Sequence, residues 1–178
     1  MASDDYYMHR ALDQAHLALA AGEVPIGAVV VDAAGNIIGE GFNAPVAAHD
    51  PTAHAEIRAL RTAGERLGNY RLGGCSLFVT VEPCLMCTGA IIEARIRRLV
   101  YAVAEPKTGM AESRANLFAQ PWFNHRVDVA SGVQSGRARR LMREFFAARR
   151  SSRRSAEPQR DAQTTEGPAR EGDGPTSS

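Results

Sequence analysis

A chain of 178 residues, 44% hydrophobic and 23% charged, has the make-up of one globular domain large enough to bury a core without disulfide staples. Its net charge of +1 gives no support for an anionic partner, so any such case must rest on local clustering. The acidic start, Met1-Ala2-Ser3-Asp4-Asp5, leads into no long apolar run, which speaks against a signal peptide or a membrane span.

Ser3 followed by Asp4 and Asp5 reads as a helix start: a capping side chain, then acids beside the positive helix end. Met8, Ala11, Leu12, Ala15, Ala18 and Leu19 recur at helical spacing, and Gly22 closes the segment. After Pro25, residues 26–31 form a short apolar strand, 33–36 a turn, and 36–42 the returning strand of a hairpin. Residues 53–63 look helical, and 77–81 is a β-rich run that stops at Pro83. Proline fits the first turn of a helix, so 84–94 is expected to be helical. Residues 99–104 and 126–129 supply further strands, and 136–149 a final helix. This order predicts a three-layer α/β/α domain over residues 1–150, built on a mixed five-stranded sheet. From Ser151 onward apolar residues nearly vanish, so 151–178 is read as a disordered tail unable to offset its ordering entropy.

The sharpest signal is split in two: His54-Ala55-Glu56, then Pro83-Cys84-Leu85-Met86-Cys87. One imidazole and two thiolates are three zinc ligands, and the fourth tetrahedral position stays open. A structural zinc site is normally closed by a fourth Cys or His, so an open set points to catalysis. Glu56 lies close to His54 without being needed as a ligand, and can therefore move protons. Cys84 and Cys87, three apart, share a helix face in a first turn, where the positive helix end favours thiolates. His54 and Glu56, two apart, share no helix face, so spacing alone does not bring both to one ion. They would have to sit where a helix begins, a setting that Asp50-Pro51-Thr52 upstream allows. Cysteines used this way suit a reducing compartment, and the cytoplasm is the expected location.

His-x-Glu with Pro-Cys-x-x-Cys is the pattern of the zinc-dependent nucleobase deaminases. The likeness extends further. Gly41-Phe42-Asn43, residues 49–57, Asn69-Tyr70-Arg71-Leu72, residues 81–90, Lys107-Thr108-Gly109 and Asn124-His125-Arg126-Val127 resemble the bacterial tRNA adenosine deaminases that edit the anticodon wobble position. That resemblance covers roughly the first 150 residues. It implies a cytidine deaminase-like fold, one Zn2+ per subunit on His54, Cys84 and Cys87, and Glu56 as the proton shuttle. It also implies hydrolytic deamination of adenosine to inosine in a tRNA anticodon stem-loop, by a homodimer that contacts the substrate across subunits. Asn43 would then hydrogen-bond the target nucleoside, with Asn124 and His125 near the substrate strand; by residue type alone, Asn43 could simply end a strand. Two residues depart from the family pattern. Glu105 stands where Asp commonly precedes the Pro-Lys segment, and Glu112 interrupts a stretch that is usually small and Gly-rich. Both fall in a loop expected near the substrate, so they bear on substrate positioning and not on zinc or proton transfer.

Other residues have plainer readings. Cys75, beside an apolar run, is a small buried hydrophobe rather than a fourth ligand. His9, His16 and His49 lack partners at metal spacing, and a lone His near a strand start, such as His125, is more often structural. Arg137, Arg139, Arg140 and Arg143, continuing to Arg149, Arg150, Arg153 and Arg154, form either a solvated helix face or a phosphate-contacting surface. The resemblance favours RNA. Two rival functions stay open at this point: a deaminase of free guanine or cytosine, and an RNA-binding module with a structural zinc. The arginine cluster argues against the first, and Glu56 with the missing fourth ligand against the second.

Overall fold

The structure, a computed structural model, describes residues 2–156. Helix α1 (Asp4–Ala20) begins where expected: the Ser3 side chain accepts the Tyr6 N–H, and Asp4 and Asp5 occupy the first turn. Its apolar stripe, with Met8, Ala11 and Leu12, is buried. Strand β1 (Gly27–Val31) is buried along its whole length, as a strand covered on both faces must be. It pairs antiparallel with β2 (Ile37–Phe42) through a turn in which Asp32 Oδ1 accepts the Ala34 and Asn36 N–H groups. On its other side β1 pairs antiparallel with β3 (Ser76–Val81). Strands β4 (Arg98–Val103) and β5 (Asp128–Ser131) then add in parallel, giving the order β2-β1-β3-β4-β5. This is the mixed five-stranded sheet the sequence predicts.

Side-chain alternation sends two apolar sets to opposite faces of the sheet. Val29, Val31, Phe78 and Val100 meet α1 and Ala138 of α4 (Ser135–Ala156). Ala28, Val30, Leu77, Val79 and Leu99 meet α2 (Ala55–Leu67) and α3 (Leu85–Glu93). The result is three layers, α/β/α. Helix α2 lies directly on β2, and Gly41 is what permits it. A Cβ at Gly41 would fall within contact distance of the Ala55 carbonyl and stand 2.5 Å from the Ala59 nitrogen. The start of α2 is thereby held against the end of β2.

The two parallel crossovers differ. Helix α3 joins β3 to β4, whereas β4 reaches β5 through an irregular segment, residues 104–127. That segment still contributes to the core: Ala111 and Phe118 are buried on the α2/α3 side, with Phe123 and Val127 packed against them.

Several boundaries differ from expectation, each for a local reason. Cys84 keeps an extended backbone (φ −76°, ψ 177°) and is the N-cap, so α3 starts at Leu85 and Pro83 precedes the cap instead of joining the first turn. Similarly, His54 caps α2, which starts at Ala55 and runs on to Leu67 before Gly68 ends it in the left-handed region. Strand β5 spans 128–131, two residues later than expected. Helix α4 continues to Ala156, past the boundary expected at 151, because arginine and serine do not break a helix already propagating. The rest of the expected tail, 157–178, lies outside the described residues. Among the described residues no helix is long and apolar enough to cross a membrane.

Candidate active site

The starts of α2 and α3 meet at one point. His54 Nδ1 lies 3.7 Å from Cys84 Sγ and 3.6 Å from Cys87 Sγ, and all three ligand atoms fall within 4.8 Å of one another. Typical Zn–N and Zn–S bond lengths in a tetrahedron require N···S separations of about 3.6 Å. The donor set therefore fits zinc in chemistry and in spacing. The difficulty posed by the i, i+2 spacing of His54 and Glu56 is resolved by the cap. His54 has extended backbone (φ −74°, ψ 155°) outside the helix, while Glu56 is inside the first turn, so both side chains can face the same place.

Electrostatics match the geometry. A hydrogen bond with Cys87, aided by His54, pulls the Cys84 thiol down to about 4, a ready thiolate. Cys87 moves the other way, because it holds the proton shared with Cys84, is buried, and faces Glu56. A cation between them would favour release of that second proton as well. His54 is raised by its hydrogen bond to Cys84 and by the nearby Glu56 charge. Glu56 is buried, only 4% exposed, and burial lifts its carboxyl to about 7. A carboxyl poised there can take up and release a proton near neutrality.

Asn43 follows β2 and is also buried. Its Oδ1 accepts the Ala55 N–H at 3.1 Å. His54 makes no side-chain cap bond, so Asn43 does that work from twelve residues away. Among the described residues, the Asn43 NH2 group makes no hydrogen bond to protein.

Glu82, which no sequence pattern singled out, gathers a loop next to Cys84. Its carboxylate is 3% exposed and receives five hydrogen bonds. Oε1 accepts the N–H groups of Ala111 (3.0 Å), Glu112 (2.8 Å) and Ser113 (2.9 Å). Oε2 accepts the Glu105 N–H (2.8 Å) and the Ser113 hydroxyl. Burial pushes Glu82 up, but the Ser113, Glu105 and Glu112 bonds outweigh it and hold the carboxyl below its usual range. The loop so gathered touches a metal-ligand candidate directly: Gly109 bridges to Cys84, and the Met110 N–H donates to the Pro83 carbonyl at 2.9 Å. A signal was available in the sequence, since a carboxylate ending the apolar run 77–81 has to find donors.

Asn124 and His125 are not brought to this group. Asn124 Oδ1 accepts from Arg95 (2.6 Å), and His125 Nε2 donates to the Ile96 carbonyl (2.7 Å). Both precede β5, whose Asp128 pairs with Arg98 at the start of β4, whereas Cys84 follows the opposite end of β3. Cys75 is buried in the core, as expected. On α4, Ala138, Leu141 and Phe145 are buried, while Arg137, Arg139, Arg140 and Arg143 are exposed.

Residues 1–103 match the family model of the cytidine and deoxycytidylate deaminase zinc-binding region. The chain belongs to this deaminase family. It is 46% identical over 151 residues to the tRNA-specific adenosine deaminase of Haemophilus influenzae, covering 85% of this chain and 87% of that one. A solved structure from studies of A-to-I editing by tRNA:A34 deaminases superposes with a TM-score of 0.74 at 45% identity, over 76% of this chain and 98% of that chain. A guanine deaminase from Nitrosomonas europaea also gives a TM-score of 0.74, at 28% identity over 83% and 86% of the two chains. Backbone shape thus fails to separate the two activities, while sequence identity favours the tRNA enzymes.

Proposed function

We infer that this deaminase hydrolyses adenosine to inosine at the wobble position of a tRNA anticodon loop. The observation that carries the reading is a buried carboxyl, Glu56, beside a three-ligand His/Cys/Cys group, in a chain 46% identical to a tRNA-specific adenosine deaminase. One zinc ion per subunit, held by His54, Cys84 and Cys87, supplies the Lewis acidity that makes water a nucleophile near neutral pH. Glu56 takes a proton from the attacking water and delivers it to the ring nitrogen beside C6. It then takes the proton of the new C6 hydroxyl and passes it to the departing amine as the C6 carbonyl forms, so that adenosine and water become inosine and ammonia. Proton transfer of this kind contributes about 10²–10⁴-fold. The Asn43 NH2 group, unspent on protein, is available to the target nucleoside. A loop base is unpaired and costs least to turn into a pocket.

Asn124 and His125 would act further out, where the body of the stem-loop passes, and the exposed arginines of α4 would meet its phosphates. A cytoplasmic location accords with the tRNA-modifying relatives, and the homodimer is what the resemblance of the sequence implies.

The test is inosine formation by zinc-loaded protein on an anticodon stem-loop carrying adenosine at the wobble position. Free adenosine, guanine and cytosine run in parallel, with Glu56→Ala and chelated protein as controls. Inosine in the RNA alone, lost in both controls, is the expected result. Turnover of free guanine or cytosine in its place would overturn the substrate assignment.

A further inference from the structure

We propose that Glu82 is a positioning residue: its carboxylate fastens the loop 105–113 beside Cys84 and so fixes one wall of the substrate mouth. The proposal takes the site described above as the reaction centre, and so rests on the functional reading.

Three observations carry it. First, Glu82 leaves little of its accepting capacity unused, with five donors on two oxygens, four of them backbone N–H groups of the loop. Three of these come from consecutive residues, 111–113, which wrap around one oxygen as a backbone nest does around an anion. Second, the loop is packed onto the carboxylate with no slack. A Cβ at Gly109 would run into the Glu82 carboxyl carbon and Oε2, so the approach requires glycine. Third, Glu82 stands two residues before Cys84, and the fastened loop returns to that segment through the Gly109–Cys84 bridge and the Met110–Pro83 bond. A carboxylate outside the reacting group thereby ties the metal-ligand segment and the loop into one unit.

The chain has no helix on this crossover to do the same work. Without the carboxylate, four N–H groups would face a void or each other. The loop would have to open to water to satisfy them. Substrate binding, which needs the wall in place, should weaken more than the proton-transfer step at Glu56.

Glu82→Gln keeps the size of the side chain but replaces one acceptor oxygen with a donor aimed at donors. In zinc-loaded protein it should raise amide hydrogen exchange at residues 105 and 110–113 by about tenfold or more, with β1, β3 and α1 unchanged. Zinc content should stay at one per chain. On the stem-loop, KM should rise about tenfold while kcat stays within about threefold. Glu82→Asp, which keeps the charge, should recover part of the KM. Ser113→Ala is the milder companion: it removes a single donor, and a small rise in exchange confined to the same residues is expected even if Glu82→Gln fails to fold. Unchanged exchange at 110–113 in the folded variants would overturn the proposal. So would exchange raised equally across the sheet, or a loss confined to kcat. If wild-type protein failed to act on the stem-loop, the functional reading would fall, yet the exchange pattern would still decide whether Glu82 holds the loop.

Discussion

Replacing Asn43 separates two roles that one side chain combines. Asn43→Ala removes the acceptor for the buried Ala55 N–H, which lies 3.1 Å from Oδ1. A buried donor left without a partner costs about 1–3 kcal/mol, and loss of a helix cap about 0.5–2 kcal/mol. These describe the same bond, so a loss of about 1–2 kcal/mol is expected. For a domain of this size it lowers Tm by about 2–8 °C. Asn43→Asp keeps the acceptor and places negative charge at the start of α2, where about 0.3–1 kcal/mol of favourable interaction offsets part of the cost of a buried carboxylate beside Glu56. It should lose less Tm than the alanine variant. Both variants lack the NH2 donor, so both should lose about tenfold or more in kcat/KM on the stem-loop, a differential of about 1.4 kcal/mol. Thermal melts and steady-state kinetics on the two zinc-loaded proteins supply the comparison. Equal Tm losses would show that the Ala55 bond does not hold the helix start. Full kcat/KM in Asn43→Asp would remove Asn43 from substrate binding.

Further expectations can be checked the same way. Glu56→Gln should reduce kcat by about 10²–10⁴-fold or more while zinc content by metal analysis stays at one per chain. Gly41→Ala drives a methyl into the α2 backbone at Ala55 and Ala59, and should destabilise by about 1–3 kcal/mol and weaken zinc retention against a chelator. The Asp4 carboxylate receives both Arg98 NH groups at 2.7 Å, and that hydrogen-bonded guanidinium holds it below its ordinary 3.8. The pair's contribution is therefore present above about pH 4 and disappears as pH falls through the lower folded value. Since both side chains are about one-third exposed, Asp4→Asn should cost only about 0.5–1 kcal/mol at pH 7, and less as pH falls through the lowered folded value. An Asp4→Asn deficit that does not shrink at all as the pH is lowered below 3.8 would assign the loss to something other than the charge.

What could be read from the sequence was what repeats or follows a fixed local spacing. The Met8–Ala11–Leu12 stripe, the apolar run of β1 and the Cys-x-x-Cys at a helix start each carry their own periodicity, and each lies where expected. The layering followed from element order. Interactions between distant segments were not legible. The Asn43 bond spans twelve residues, and the Glu82 cluster spans 23 to 31, with no pattern in the intervening chain. Asn124 and His125, expected near the substrate strand, lie by the start of β4 and away from the metal group because the direction of β5, and not any local feature, decides which end of the sheet they border. The longer α4 reflects propagation through Arg and Ser, which composition alone reads as disorder.

Glu105 and Glu112, the two departures from the family pattern, both reach Glu82 through main-chain N–H groups. Every amino acid except proline carries that group. The path of this segment is therefore written mostly in its backbone, and the side chains that help to hold it are the Ser113 hydroxyl and the Glu105 carboxylate, which accepts the Lys107 N–H at 3.0 Å. Proline at 105, 111, 112 or 113, or any side chain at 109, would break the arrangement; exchanges at the exposed positions 107, 108 and 112 that keep the N–H would pass unnoticed by the scaffold. An enzyme made this way can vary the surface it shows to its substrate, by drift or by design, while the machinery behind that surface stays where it is.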